Sequence, residues 1–371
     1  MWRLPSTLTV VVALLIEPIL CINVMAQEQS RERAPLLAGP KTTLPRASGE
    51  YLGQKWSIDE NHMMWWDGKP YVPFGGFGTD PGRKGGLTTH NRWIDFDPFI
   101  KDPKLTREQH KQQIARQLKQ IEEAGGTCIV QFSMAEPHVP KGPTAGVRWD
   151  EPRGGIDASR LADPDVKREI FKVWADYAPA VQNRCVRTVV LWNEINVWRW
   201  PDHIPVEKYA AILGEYVREV KRLVGDLPVC LKCAGTWNAD AVIAGAAVAD
   251  GLGFDVFFDD AHDARASREV ERALQMLESR QKKTTWFFIA EGGRGIPEGR
   301  PVAEYWDRWP PFRSKEEAAG ILRAYVRAGA KGFIYNGPCS QSRYHDSYRW
   351  LAELRPHILS LMQSPKGKAE P

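Results

Sequence analysis

The 371-residue chain has little net charge, +4 at pH 7, and its 50 basic residues are scattered. It lacks the stripe of Lys and Arg that would mark a nucleic-acid partner. Cysteine is scarce: beyond Cys21 only Cys128, Cys185, Cys230, Cys233 and Cys339 occur, an odd number that cannot complete a disulfide framework. The pair Cys230-x-x-Cys233 has the spacing of a zinc or redox motif, but Val229 to Cys233 reads as a strand. Residues three apart on a strand face opposite ways, so two small core thiols are expected instead. After the N-terminal region no apolar run approaches the roughly 20 residues needed to span a bilayer.

The N-terminus itself has Arg3, an apolar stretch from Leu8 to Ile16 broken by Glu17-Pro18, and Val24-Met25-Ala26 before the polar Gln27. This is the pattern of a signal peptide, residues 1–26, cleaved after Ala26. A secreted or periplasmic protein with no membrane partner after cleavage is the expectation. A lipid anchor on Cys21 is disfavoured by the bulky Leu20 before it. Residues 27–48 mix charge, Pro and Ser without an apolar period and read as a linker; residues 49–363 form one domain, and residues 364–371 form a tail.

Along the domain, strand and helix patterns alternate. Trp65-Trp66-Asp67-Gly68-Lys69-Pro70-Tyr71 reads as a hairpin with an Asp-Gly turn, leading into a first barrel strand from Tyr71 to Phe74 that Gly75-Gly76 ends. Thr106 caps a helix that runs to Ala124, with Ile114, Leu118 and Ile121 on one face and Gly125-Gly126 as its stop. Strands follow at Thr127 to Phe132, up to Glu194, at Val229 to Ala234, at Phe254 to Phe258, up to Glu291, and at Gly332 to Tyr335. Helices lie between them at Asp165 to Val181, Val206 to Val224, Ala239 to Ala249, Ser267 to Arg280 and Ser314 to Ala328, and Ser347 to Met362 closes the chain. Such alternation implies an α/β protein with a parallel sheet, and the length suits a closed (β/α)8 TIM barrel. Between Phe132 and Asp165 only Val147-Arg148-Trp149 offers a third strand, so the barrel is expected to be irregular there.

Two apolar runs end in carboxylates. Thr188-Val189-Val190-Leu191-Trp192 meets Asn193-Glu194, and Thr285-Trp286-Phe287-Phe288-Ile289-Ala290 meets Glu291-Gly292-Gly293. The C-terminal ends of barrel strands are where such a fold keeps its chemistry. Two carboxyl groups at strand ends suit glycoside cleavage, one protonating the leaving oxygen and the other attacking the anomeric carbon. The bland alternative is that each glutamate caps a helix or forms a salt bridge.

Trp192-Asn193-Glu194 and Ile289-Ala290-Glu291-x-Gly293, about 100 residues apart, resemble the motifs of retaining glycoside hydrolases of the cellulase-like superfamily, over roughly residues 51–360 as an order of elements. The resemblance implies Glu194 as acid/base on the fourth strand and Glu291 as nucleophile on the seventh. It also implies a β-linked oligo- or polysaccharide substrate and no cofactor. The charge of Glu291 would keep Glu194 protonated until the glycosyl-enzyme forms. Asn193 would bond the sugar 2-hydroxyl, which requires the strand end to turn, since strict alternation points Asn193 away from Glu194. Trp192, Trp198, Trp200 and Trp237, with Trp306 and Trp309 after Glu291, are candidate sugar-facing aromatics, each equally open to a packing role. His262, in Asp259-Asp260-Ala261-His262-Asp263, and Tyr335 stand near positions where the family lines its site. The arginine expected at the end of the second strand is missing from Thr127 to Met134, and Arg294 is the candidate replacement. That gap motivates an alternative, a barrel of the same fold that binds polysaccharide without cleaving it. A metal-dependent hydrolase using His262 and its aspartates is the reading from another class.

Overall fold

The Asp67-Gly68 pair sits at positive φ, 47° and 74°, and folds β3 (Met64–Trp66) onto β4 (Lys69–Tyr71) as a tight hairpin. With β1 (Ser48–Tyr51) and β2 (Gln54–Ile58) these strands make a four-stranded antiparallel sheet in sequence order. The computed structural model describes residues 44–77, 91–96, 106–132, 158–197, 205–236, 239–296, 305–337 and 341–363. All belong to Leu44–Pro371, the second of two units into which the chain divides. The proposed signal peptide, the strand at Val147-Arg148-Trp149, Cys339 and the tail lie outside the described residues.

The main sheet is parallel and curled. Its strands are β5 (Phe74–Phe77), β6 (Asn91–Phe96), β7 (Thr127–Phe132), β8 (Val186–Leu191), β9 (Val229–Ala234), β10 (Gly251–Phe258), β11 (Trp286–Arg294) and β12 (Phe333–Tyr335). Each pairs with the next, and β12 pairs with β5. Helices α1 (Arg107–Glu123), α2 (Pro164–Val181), α3 (Val206–Val224), α4 (Asp240–Ala246), α5 (Ala264–Arg280) and α6 (Lys315–Arg327) fall between successive strands from β6 onward, and α7 (His345–Gln363) follows β12. The result is a TIM-like α/β fold. Among the described residues no helix is long and apolar enough to cross a membrane.

Local chemistry accounts for these elements. Thr106 accepts from the backbone of Gln109, whose side chain returns the bond, so α1 begins with a capping box. Its expected face, Ile114, Leu118 and Ile121, is buried, each side chain stabilising by roughly 1.5–3 kcal/mol. Asp163, Asp263 and Ser314 cap α2, α5 and α6 with their side chains. Strands β7 to β12 are buried along most of their length, as expected for a parallel sheet covered by helices.

Two strand assignments are corrected. Tyr71 belongs to the antiparallel sheet, and the first parallel strand starts at Phe74 and includes Gly75 and Gly76. Gly76 does not end the strand; a side chain there would strike the Tyr348 hydroxyl on α7, so glycine permits a close approach. The segment Asn91–Phe96, not read as a strand from sequence, pairs with both β5 and β7. Thr127–Phe132 is therefore the third parallel strand, and the second, Asn91–Phe96, has Arg92 at its N-terminal end and not at the C-terminal end where the resemblance places an arginine.

The small sheet docks on the N-terminal ends of the parallel strands. Thr284 Oγ1 accepts from Ala47 N (2.8 Å) and donates to Ile58 O (2.7 Å), Trp56 Nε1 donates to Asp226 O (2.6 Å), and Arg187 donates to Gln54 (2.8 Å). The opposite ends are left for the site.

Candidate active site

At the end of β8 the backbone leaves the extended conformation. Trp192 and Glu194 both have positive φ, 60° and 47°, before a 3-10 turn at Ile195–Val197. Left-handed backbone at two bulky residues costs on the order of 1–3 kcal/mol each and persists only where neighbours hold it. The Trp192 ring is fixed against Tyr216 on α3 (4.9 Å, edge-on) and Trp174 on α2 (6.2 Å). Asn196 ties the turn to β9, accepting from Ala234 N (2.9 Å) and donating to Ala234 O (2.8 Å). This turn supplies what strict alternation denies: Asn193 and Glu194 are both half-buried, and both interact with Lys232. Asn193 Oδ1 accepts from its ammonium at 2.6 Å, and the Glu194 charge acts on it.

Glu291 lies within β11, which continues to Arg294, and its register partner on β10 is Asp255. The two residues after it must be small. A side chain at Gly292 would meet Ile289 and the Tyr325 hydroxyl, and Gly293, at φ 133°, lies against Tyr335. The Tyr325 hydroxyl donates to Val256 O (2.7 Å) and accepts from Gly293 N (2.9 Å), joining the two strands just past Glu291 and Asp255.

Lys232, on β9, joins these groups. Its side chain is fully buried, and its Nζ donates to Glu291 Oε1 and to Asn193 Oδ1 and lies 2.9 Å from Asp255 Oδ2. Burial alone would pull the ammonium pKa down, but Asp255, Glu291 and Glu194 push it well above the ordinary lysine value. These neighbours favour its charged form. Asp255 is also buried, and burial raises its carboxyl well above the usual range; the Glu291 and Glu194 charges add to the rise, and Lys232 opposes it. Two carboxyl groups, of Asp255 and Glu291, thus contact one cation, and the Glu194 charge acts on it as well.

The other expected site residues fall elsewhere. Trp192 is buried in packing and presents no face to a ligand. Tyr335 is also buried, stacked on Phe312 at 5.0 Å, because the glycines of β11 let it pack down. Arg294 does not replace a missing charge beside Glu291: it lies 3.5 Å from Glu317 on α6 and donates to Pro311 O at 3.3 Å. His262 is exposed in the turn before α5, where its backbone N–H donates to Asp260. Among the described residues no three His, Cys, Asp or Glu side chains are grouped as metal ligands. Cys230 and Cys233 are buried free thiols whose pKa values burial pushes up. Trp309 is half-buried with its ring 5.6 Å from Phe257 of β10. Trp198, Trp200 and Trp237 lie outside the described residues.

Lys232, Asp255 and Asn196 were not read from sequence as site residues. The signal for the first two was a lone charge of opposite sign inside each of two consecutive apolar strands, Val-Cys-Leu-Lys-Cys-Ala and Gly-Phe-Asp-Val-Phe-Phe.

No protein-family model matches the sequence, and no curated protein does. Solved structures share the fold. An endo-1,4-β-mannanase from Rhizomucor miehei is similar at TM-score 0.54 and 8% identity, over 87% of this chain and 100% of that one. An exo-β-1,4-mannosidase from the Opitutaceae bacterium strain TAV5 is similar at TM-score 0.53 and 10% identity, over 83% and 64%. A modular endo-β-1,4-mannanase from Cellulomonas fimi is similar at TM-score 0.50 and 16% identity, over 79% and 71%. The chain spans about half, 55%, of the length of the first solved structures it matches.

Proposed function

We propose that the chain is a secreted (β/α)8-barrel glycoside hydrolase that cleaves β-linked glycosides with retention of configuration. The observation that carries this reading is that one buried cation, Lys232, bonds both Glu291, on the seventh parallel strand, and Asn193, which adjoins Glu194 at the end of the fourth. In the first step the Glu194 carboxyl protonates the glycosidic oxygen while the Glu291 carboxylate bonds to the anomeric carbon and the C–O bond to the leaving group breaks. In the second, Glu194 takes a proton from water, the oxygen attacks the anomeric carbon, and Glu291 leaves as a carboxylate. The negative charge moves from Glu291 to Glu194 and back, and Lys232, bonded to Glu291, also feels the charge of Glu194. No cofactor is required. Asn193 is the group assigned to the sugar 2-hydroxyl.

The alternative of a barrel that binds polysaccharide without cleaving it keeps its ground, since the second parallel strand, Asn91–Phe96, ends in Asp95-Phe96 with no arginine there. The mannan-acting enzymes among the solved structures make β-1,4-mannosides the first substrates to try, followed by β-glucosides, β-galactosides and their polysaccharides. Glu194→Gln and Glu291→Gln should each lower turnover about 10³-fold or more on whichever substrate the wild type cleaves. NMR of the first product should show the anomeric configuration retained. Full activity in either variant, or inversion, would refute the assignment.

A further inference from the structure

Lys232 sits at a position where an apolar parallel strand has no structural need of a charge. Burying an ammonium is costly unless partners surround it, and here Asn193 Oδ1 at 2.6 Å and Glu291 Oε1 accept from it while Asp255 Oδ2 is ion-paired with it at 2.9 Å. These partners come from three different strands or strand ends, so the ammonium spans β8 to β11. We propose that Lys232 is a positioning residue that sets Glu291 and Asn193 as one unit, pinning one carboxylate oxygen and orienting the amide. The inference rests on the reading of Glu291 as nucleophile.

Two consequences follow from the geometry. Lysine has donors only, so the Asn193 atom facing it must be the carbonyl oxygen; the two N–H bonds of the amide then point away from the ammonium as donors for a ligand oxygen. The cation bonded to Glu291 Oε1 favours the anion that attack requires. Asp255, the register partner of Glu291 on the neighbouring strand, lies 2.9 Å from the same ammonium and completes its surroundings.

The test is a titration of the Glu291 carboxyl itself, in full-length protein labelled with 13C at glutamate side-chain carboxyls, the resonance being identified by its loss in Glu291→Gln. Lys232→Gln should raise the titration midpoint of Glu291 by about 1–2 pH units, because the favouring charge is gone. If that variant does not fold, Lys232→Gln/Asp255→Asn carries the same expectation, since neither buried charge is then left facing an absent partner. Asp255→Asn alone should leave the midpoint unchanged or lower it. On a cleaved glycoside, Lys232→Gln should lower kcat about 10²-fold with KM changed far less, and should move the acid limb of the pH profile upward with the titration. A midpoint that stays in place without Lys232, or rises as far in Asp255→Asn, overturns the inference while leaving the glycosidase reading standing. A shifted midpoint in a protein that cleaves no glycoside supports the clamp and overturns the glycosidase reading instead.

Discussion

Two buried aspartates lie five residues apart near and within one strand, and they are treated in opposite ways. Asp250, just before β10, accepts from Lys221 (2.6 Å), Lys283 (2.7 Å) and the backbone N–H of Val229 (2.9 Å). Both lysines keep about a quarter of their side-chain surface in solvent, 26% each. One anion is shared by two partly hydrated cations, and the cluster ties β9, β10, α3 and the segment before β11 together. Asp255, within β10, faces the reverse stoichiometry: one wholly buried cation, with Glu291 and Glu194 as competing anions. Neither Asp255 oxygen has a hydrogen bond of good geometry. The first arrangement is that of a fastener. The second is under-satisfied, which marks it as a candidate for chemistry and not as a fastener.

The largest effect that separates the two is expected from Asp250→Ala. It removes a charge-assisted acceptor from the buried Val229 N–H and from two lysines, and should cost about 3 kcal/mol of unfolding free energy in urea titrations. Activity per folded molecule should stay near wild type, since nothing at the Lys232 centre is touched. A large loss of kcat in a variant that remains folded would break the distinction. A smaller effect is expected from Lys283→Met. Asp250 keeps Lys221 and Val229, the lost partner was partly exposed, and the cost should be about 1 kcal/mol or less. A loss as large as that of Asp250→Ala would mean that the two lysines are not redundant.

The same contrast explains what sequence could reveal. Elements with an apolar period and a cap were legible to within a few residues: α1 with Thr106, α3 at Val206–Val224 and β9 at Val229–Ala234 appear where periodicity puts them. The glutamates were legible because each ends an apolar run. Asn91–Phe96 was not, because Asn91, Arg92 and Asp95 interrupt its apolar character and its strand conformation comes from pairing with β5 and β7. Lys232 is inconspicuous in sequence because it stands between Cys230 and Cys233, whose spacing is the more familiar motif. Its partners Asp255 and Glu291 are distant in sequence and meet it only through the order of strands in the sheet. Burial of Trp192 and Tyr335 was likewise invisible, since an aromatic at a strand end looks the same whether it faces ligand or core.

The smallest expected effect has the opposite sign. The Asp255 carboxyl is raised in the folded protein above its ordinary value of 3.8, so the native state holds its proton more tightly than the unfolded chain does. Stability is therefore unpenalised below that value and declines as pH rises toward the folded pKa, where the unfolded chain releases the proton first. Asparagine has nearly the shape of the protonated acid and does not titrate. Asp255→Asn should thus match wild type in acid and become more stable by up to about 1 kcal/mol near neutrality, with the gap widening as pH increases. Lys232 is not orphaned by this change, because Glu291 still accepts from it and Glu194 remains a nearby charge. Urea unfolding of both proteins across a pH series measures the gap. If the asparagine variant instead loses stability and the loss deepens toward neutral pH, Asp255 is an ionised structural partner like Asp250, and the two ends of the strand are built alike.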